Sequence, residues 1–408
     1  MNNSESFNTK FYPVYRSLVS MMAWLPVFFL YFNDHLEIKD VILLESIYYI
    51  SVVILEVPSG MFSDYAGRKI TLILSSLSFL VSYSIFGFIS PDFNSLIVAQ
   101  LFLAGGISFM SGTNTSFYFE SLQEQGLESE YPQREARVQS LLQYTGAFAV
   151  LLGGFAGAID LKITYIASFI FMVPAFILCL LFTEPKEEIT IQHKSGESQF
   201  IKVLSYFKVP ELRWIFVFSV GVYILAHIPY EFYQPYLNLL ELEQFAMNTA
   251  IVSGILFAIT RVFGAYAAGK SIKWTNKYGL KQVCAASVFI QLSIIVLLSL
   301  ALHPGFIILL MLRSFSMSLT VAPLNAEIAP RVRKDHRASY FSLQSLASRL
   351  AFSICLVLLS LPVANEVIND WPTLSMIFRY AGIGGLIVIL PLLYINSGSL
   401  FQRKITNS

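Results

Sequence analysis

Stretches of about twenty predominantly apolar residues recur twelve times along this chain of 408 residues, and nothing else in the sequence limits its fold so strongly. Crossing a ~30 Å hydrocarbon core takes about 20 helical residues. The stretches run over 14–33, 41–62, 70–90, 95–119, 138–159, 162–183, 212–238, 246–268, 282–302, 305–325, 339–363 and 372–395. In lipid every backbone N–H and C=O must be satisfied within its own segment or in a closed barrel, and alternating strands of ~10 residues are absent. Each stretch therefore reads as a membrane-spanning helix. Only 13% of the residues are charged and 55% are hydrophobic, against about 25% and about 45–50% in soluble chains.

This composition excludes several classes of function. With a net charge of +1 and no basic block, the chain is a poor partner for nucleic acid. Cys179, Cys284 and Cys355 lie inside apolar runs and read as small hydrophobes, not as a disulfide or metal framework. No loop carries a nucleophile, base and acid together, so an enzyme is not expected. The opening MNNSESFNTK has one lysine, and no A-x-A-like site follows the first run, so 14–33 is read as a retained helix.

An even number of spans puts both termini on one side. That side collects Arg16, Arg68, Lys69, Arg134, Arg137, Lys270, Arg331 and Arg337 among others, while the opposite side keeps Lys39 and Lys162. By the positive-inside rule both termini are expected in the cytoplasm, in a cytoplasmic (inner) membrane. The longest polar stretch, Thr183 to Arg213, divides the chain after six spans. The expected domains are residues 1–184, a linker over 185–209, and 210–408. The halves also rhyme: "DYAGRKITLILSS" after span two has a degenerate echo, "NKYGLKQVCAAS", after span eight. The expected fold is an all-α membrane protein with twelve transmembrane helices in two pseudo-symmetric six-helix bundles.

The stretch "EVPSGMFSDYAGRK" (Glu56 to Lys69) sits between two apolar runs, and its Gly60, Asp64, Gly67, Arg68 and Lys69 resemble the loop signature of the major facilitator superfamily. The resemblance covers the whole chain. It extends to "FYFESL" ending span four, "QPYL" in span seven, "RASYFSLQSLASRL" opening span eleven, and "GAFAVLLGGFAG" in span five, which is similar to the antiporter motif of proton-driven exporters but lacks its proline. It implies alternating access, with Asp64 latching the halves against the start of span eleven near Arg337. It also implies a central cavity lined by spans one, four, seven and ten, nominating Tyr15, Trp24, Ser111, Asn114, Tyr223, His227, Tyr230 and Arg313 for substrate.

Ionisable residues inside spans cost roughly 2.5–3.5 kcal/mol at mid-helix and so are candidates for function. Arg313 lies roughly 13 Å deep at ~1.5 Å per residue, where it can hold a substrate anion, pair with a proton-carrying carboxylate, or knit the second half permanently. Arg261 is expected to pair with Glu327 and Glu120 with Arg137, as clamps at the inner end. Coupling needs a carboxylate or histidine that alternates between burial and exposure; Glu56, Glu231 and His227 are the candidates, the last two sharing a face at i,i+4. "GAYAAGKS" (Gly264 to Ser271) matches a phosphate-loop pattern literally but closes a membrane helix, so it reads as small residues for helix packing.

The expected function is export of a small amphipathic, anionic organic solute by a monomer that uses the proton gradient and no cofactor or metal. The alternatives are an importer or uniporter of a nutrient or siderophore-like compound, and a transporter-like receptor that moves nothing.

Overall fold

A computed structural model describes residues 6–36, 38–185, 202–232, 236, 239–240, 248–360 and 371–394. Most of the linker 185–209, Pro235 and the chain ends lie outside them. The first half comprises α1 (Phe7–Val19), α2 (Phe28–His35), α3 (Ile38–Ala66), α4 (Arg68–Phe88), α5 (Phe93–Met110), α6 (Thr113–Gln123), α7 (Tyr131–Gly157) and α8 (Leu161–Leu181). The second comprises α9 (Pro210–Glu231), α10 (Thr249–Tyr278), α11 (Leu280–Leu300), α12 (Ile307–Ile328), α13 (Lys334–Ser360) and α14 (Trp371–Val388). No strand occurs among the described residues.

Ten of the helical stretches are long and apolar enough to cross a membrane. Two expected spans differ from a single rod. Span one is α1 and α2, broken over 20–27, where Pro26 cannot donate and the N–H of Ala23 bonds the Ser168 hydroxyl at 2.9 Å. Span four is α5 and α6, parted at Gly112, whose φ of +71° favours glycine; an added Cβ there would lie 2.6 Å from the carbonyl of Ala338 on α13.

Large apolar side chains such as Ile54, Phe155, Phe289 and Ile387 are exposed along the outside of the helices, as lipid contact requires. The buried apolar residues form two principal clusters, one drawn from Tyr12 to Phe182 plus Ala329, the other from Val203 to Leu393. The two copies of the loop signature make the same turn: Gly67 between α3 and α4 has φ +99°, and Gly279 between α10 and α11 has φ +93°.

Two antiparallel seams join the halves. Along α7 and α10, Gly154 meets Gly254 near one end, and the Ser140 hydroxyl bonds the Ala265 carbonyl at 2.8 Å toward the other. Along α3 and α13 the contact is polar and centres on Asp64.

Candidate functional site

At the end of the bundle that gathers the Lys and Arg residues, the Gly67 turn delivers Arg68 as the first residue of α4, 3% exposed. Its guanidinium donates to Asp64 at 2.5 Å, to the Ser63 hydroxyl at 3.1 Å, to both carboxylate oxygens of Glu120 at 3.1 and 3.2 Å, and to the Lys334 carbonyl at 2.6 Å. Asp64 also accepts from the backbone N–H of Ala338 (3.3 Å) and Ser339 (2.9 Å) and from the Ser339 hydroxyl (2.5 Å), all on α13. Arg337, from the second half, donates to Glu120 at 3.0 Å and to the carbonyls of Ala329 and Val332, with its guanidinium 4.5 Å from the Phe119 ring centre. Two buried acids thus face two buried arginines, the balance that desolvated charges require.

The Glu184 carboxylate accepts from the N–H of Arg68 (2.6 Å) and Lys69 (2.7 Å), capping α4 from 115 or more residues away. Beside it the Lys334 ammonium bonds the Pro185 carbonyl at 3.1 Å, so the start of the linker touches both halves.

Two expected clamps are corrected. Arg137 is exposed, because residues 135 and 137 are two apart on a helix and Glu135 takes the buried face; Glu120 instead pairs with Arg68 and Arg337. Glu327 pairs with Arg331, its i,i+4 neighbour, while Arg261 bonds the Gln143 amide oxygen at 3.3 Å.

Between the halves lies a cavity of about 270 Å³, whose wall includes Ser111, Thr115, Ser219, Tyr223, Thr320 and Ser345. These come from spans four, seven, ten and eleven; none of the cavity residues belongs to span one. Tyr15 and Trp24 lie in the core of the first half, Tyr15 bonded to the Ser76 hydroxyl at 3.2 Å and Trp24 stacked on Tyr165 at 5.8 Å. Trp24 stands in the break of span one, whereas Tyr15 lies on the buried face of α1 ahead of it. Asn114 sits beside the cavity wall, its carbonyl accepting from Tyr12 and its side chain from the Thr115 N–H.

Glu56 of α3 is fully buried behind the cavity wall and accepts from the Ser111 hydroxyl, with Ser345 facing it and Arg349 within electrostatic reach. Glu56, Gly60 and Asp64 form one stripe of α3, set against Ser345, Ser342 and Ser339 of α13. Both rows follow helical spacing, so the seam is in register turn by turn. Gly60 leaves room for the Ser342 hydroxyl, which would lie 2.6 Å from an added Cβ.

From Tyr223 the aromatic residues continue along α9 away from the basic end. Tyr223 and His227 stack at 3.7 Å, His227 meets Tyr230 at 6.1 Å, and the Arg313 guanidinium lies 4.4 Å from the Tyr230 ring centre. Glu231, one residue on, is exposed at the helix end and does not share this arrangement.

Two acids escape a reading by motif, one buried and one exposed. Glu135, 1% exposed, accepts from the Gln139 amide at 2.8 Å and faces Asn325 of the cavity wall. A signal existed: Tyr131, Glu135, Val138, Gly146 and Val150 share one buried stripe of α7. Glu184 had none, since its partners are distant in sequence. "GAYAAGKS" lies within α10, where Gly264 packs against Ser314 and Ser318 of α12.

The family model described as Major Facilitator Superfamily matches residues 16–356. The chain belongs to this superfamily. No curated protein matches it in sequence. Solved superfamily structures share the fold over nearly the whole length. FucP in the outward conformation has a TM-score of 0.70 at 15% identity, covering 95% of this chain and 99% of that one. The human organic anion transporter MFSD10 has 0.70 at 12%, covering 95% and 98%. A bacterial homologue of the iron transporter ferroportin, outward-facing, has 0.68 at 15%, covering 96% and 100%. The chain is thus a superfamily transporter of small solutes.

Proposed function

We propose that this protein is a proton-coupled secondary transporter that exports a small amphipathic organic solute across the cytoplasmic membrane as a monomer, without cofactor or metal. The basic end faces the cytoplasm, consistent with the positive-inside pattern. The position of Glu56 carries the reading: a buried carboxylate stands directly behind the wall residues Ser111 and Ser345 of the central cavity and in the α3–α13 seam at once. A carboxylate that alternates between a dry seam and a wet cavity changes its proton affinity with each opening. Arg349, on the opposite half, answers its charge when the seam is closed. Asp64 latches the cytoplasmic end, and releasing it lets the cavity open inward. The glycine-rich run of α7 supports the outward direction.

The test is flux in proteoliposomes with a pH gradient imposed in either direction. Wild-type protein should drive solute against its gradient, whereas Glu56→Gln should still exchange solute for solute but no longer respond to pH. Gradient-driven flux that survives Glu56→Gln would overturn Glu56 as the coupling group. Solute moving with the proton would make the protein an importer.

A further inference from the structure

We propose that the groove between α10, α11 and α12, at the basic end of the bundle, binds an anionic phospholipid, with the headgroup phosphate at Lys270 and Lys277 and an acyl chain along the apolar wall. The groove shares no residue with the central cavity, so the site is separate from the transport path.

The two copies of the glycine turn differ in charge. In the first, Arg68 is answered by Asp64 and Glu120, and Glu184 caps the helix that follows. In the second, counted from Gly279 as from Gly67, Asn276 stands in the place of Asp64 and Leu280 in the place of Arg68. Leu280 is buried in the apolar core of the second half, so the ionic latch has no counterpart here. Lys270, Lys273, Lys277 and Lys281 gather around this turn, and the sequence has no Asp or Glu between Glu243 and Glu327. Glu327 itself pairs with Arg331. Lys270, Lys273 and Lys277 are exposed and make no ion pair among the described residues. Positive charge concentrated at a membrane surface without acids of its own attracts anionic lipid.

The lysines adjoin a place for the rest of the lipid. Trp274 and Tyr278 of α10, Val283, Ala286 and Ile290 of α11 and Phe315 of α12 enclose a groove of about 390 Å³. Tyr278 and Ala286 are exposed, so the groove opens on the outside of the bundle. From Val283 to Ile290 it runs roughly 10 Å along α11, room for the first part of an acyl chain. On α10, Lys270, Trp274, Lys277 and Tyr278 fall at i, i+4, i+7 and i+8 and share one face, so the cations stand on the groove's own rim. The Lys277 ammonium lies 4.8 Å from the Tyr278 ring centre, and Tyr266, one turn before Lys270, meets Trp274 at 6.0 Å. Tyr and Trp rings settle at headgroup level, and lysines extend their ammonium groups toward it. A soluble anion has no use for the groove, and a zwitterionic lipid has no use for the lysines. Where the first half fastens its turn with its own acids, the second takes an acid from the bilayer.

The experiment measures thermal unfolding of the purified full-length protein in detergent, titrated with dioleoylphosphatidylglycerol. Controls are phosphatidylcholine with the same chains and glycerol 1-phosphate, the headgroup alone. Phosphatidylglycerol should raise Tm saturably and the controls should not. Replacing both lysines (Lys270→Gln with Lys277→Gln) should weaken its apparent Kd by about tenfold or more. Ala286→Phe, which fills the groove and keeps both lysines, should weaken it severalfold. Arg137→Gln, which removes an exposed cation at the same end, should leave it unchanged. Equal stabilisation by phosphatidylcholine or by glycerol phosphate, a Kd unaltered by the lysine and Ala286 substitutions, or an equal loss in Arg137→Gln would overturn the site. Acetylation of the wild-type protein, read by mass spectrometry, needs no substitution. The lipid should protect Lys270 and Lys277 severalfold from a reactivity that matches exposed Lys162. Lysines already shielded before lipid is added, as by the acids of the linker 185–209, or equally reactive after it, would refute the proposal. No gradient or flux enters either measurement, so the site and the coupling role of Glu56 fail separately.

Discussion

Between α7 and α10 the halves meet through glycine, and an added Cβ on Gly154 would lie 2.8 Å from the Ala250 carbonyl and 2.9 Å from the Gly254 Cα. Between α3 and α13 they meet through charge, with Asp64 accepting from the backbone and hydroxyl of Ser339. The first contact depends on shape and is lost if either surface grows by one carbon. The second depends on ionised groups, which can exchange partners and be rehydrated at modest net cost, since a hydrogen bond to a charged group contributes about 1.5–3 kcal/mol. A transporter that rocks needs both kinds: a seam that stays close while the helices tilt, and a seam that opens.

The largest effect should come from the charged seam. Arg68→Ala leaves Asp64 and Glu120 buried, with Arg337 as the remaining cation bonded to Glu120, and should cost about 3–5 kcal/mol. Thermal unfolding in detergent would show it as a large fall in Tm; a loss no greater than that of an exposed arginine would mean that apolar packing holds this seam too. Gly154→Val should cost about 1–3 kcal/mol through overpacking against backbone that cannot yield. If the variant unfolds like the wild type, the α7–α10 seam is looser than its geometry implies.

Asp64→Asn keeps the shape but removes the charge, and should weaken the latch by about 1.4 kcal/mol, shifting the inward-open population about tenfold. A cysteine at Thr115, on the cavity wall, reports this as faster labelling from the basic side by an impermeant maleimide. Unchanged labelling would mean that Asp64 does not latch. The smallest effect is expected for Glu184→Ala, which uncaps α4 and should cost about 1 kcal/mol. An unaltered Tm would show that the Gly67 turn holds the loop by itself.

The difference between the seams also explains what could be read in advance. The motif residues Gly60, Asp64, Gly67 and Arg68 are close in sequence, so their turn and the i,i+4 pair of Asp64 with Arg68 follow from helical spacing. Glu327 pairs at the same spacing with Arg331, a neighbour that a search for distant partners passes over. Glu120 could meet Arg137 or Arg337 with equal plausibility until the packing of α6 on α13 is known. Trp24 reads as a cavity aromatic only if span one is continuous, and the break over 20–27 removes that premise.

What the sequence by itself determined is the all-helical membrane fold and the repeated glycine turn, because length, hydropathy and φ preference are local properties that act residue by residue. The tertiary structure alone decided which arginine answers which acid, where spans one and four break, and that span eleven walls the cavity. Those outcomes rest on distances between segments that lie dozens to hundreds of residues apart, and the close approach of helices sets such distances.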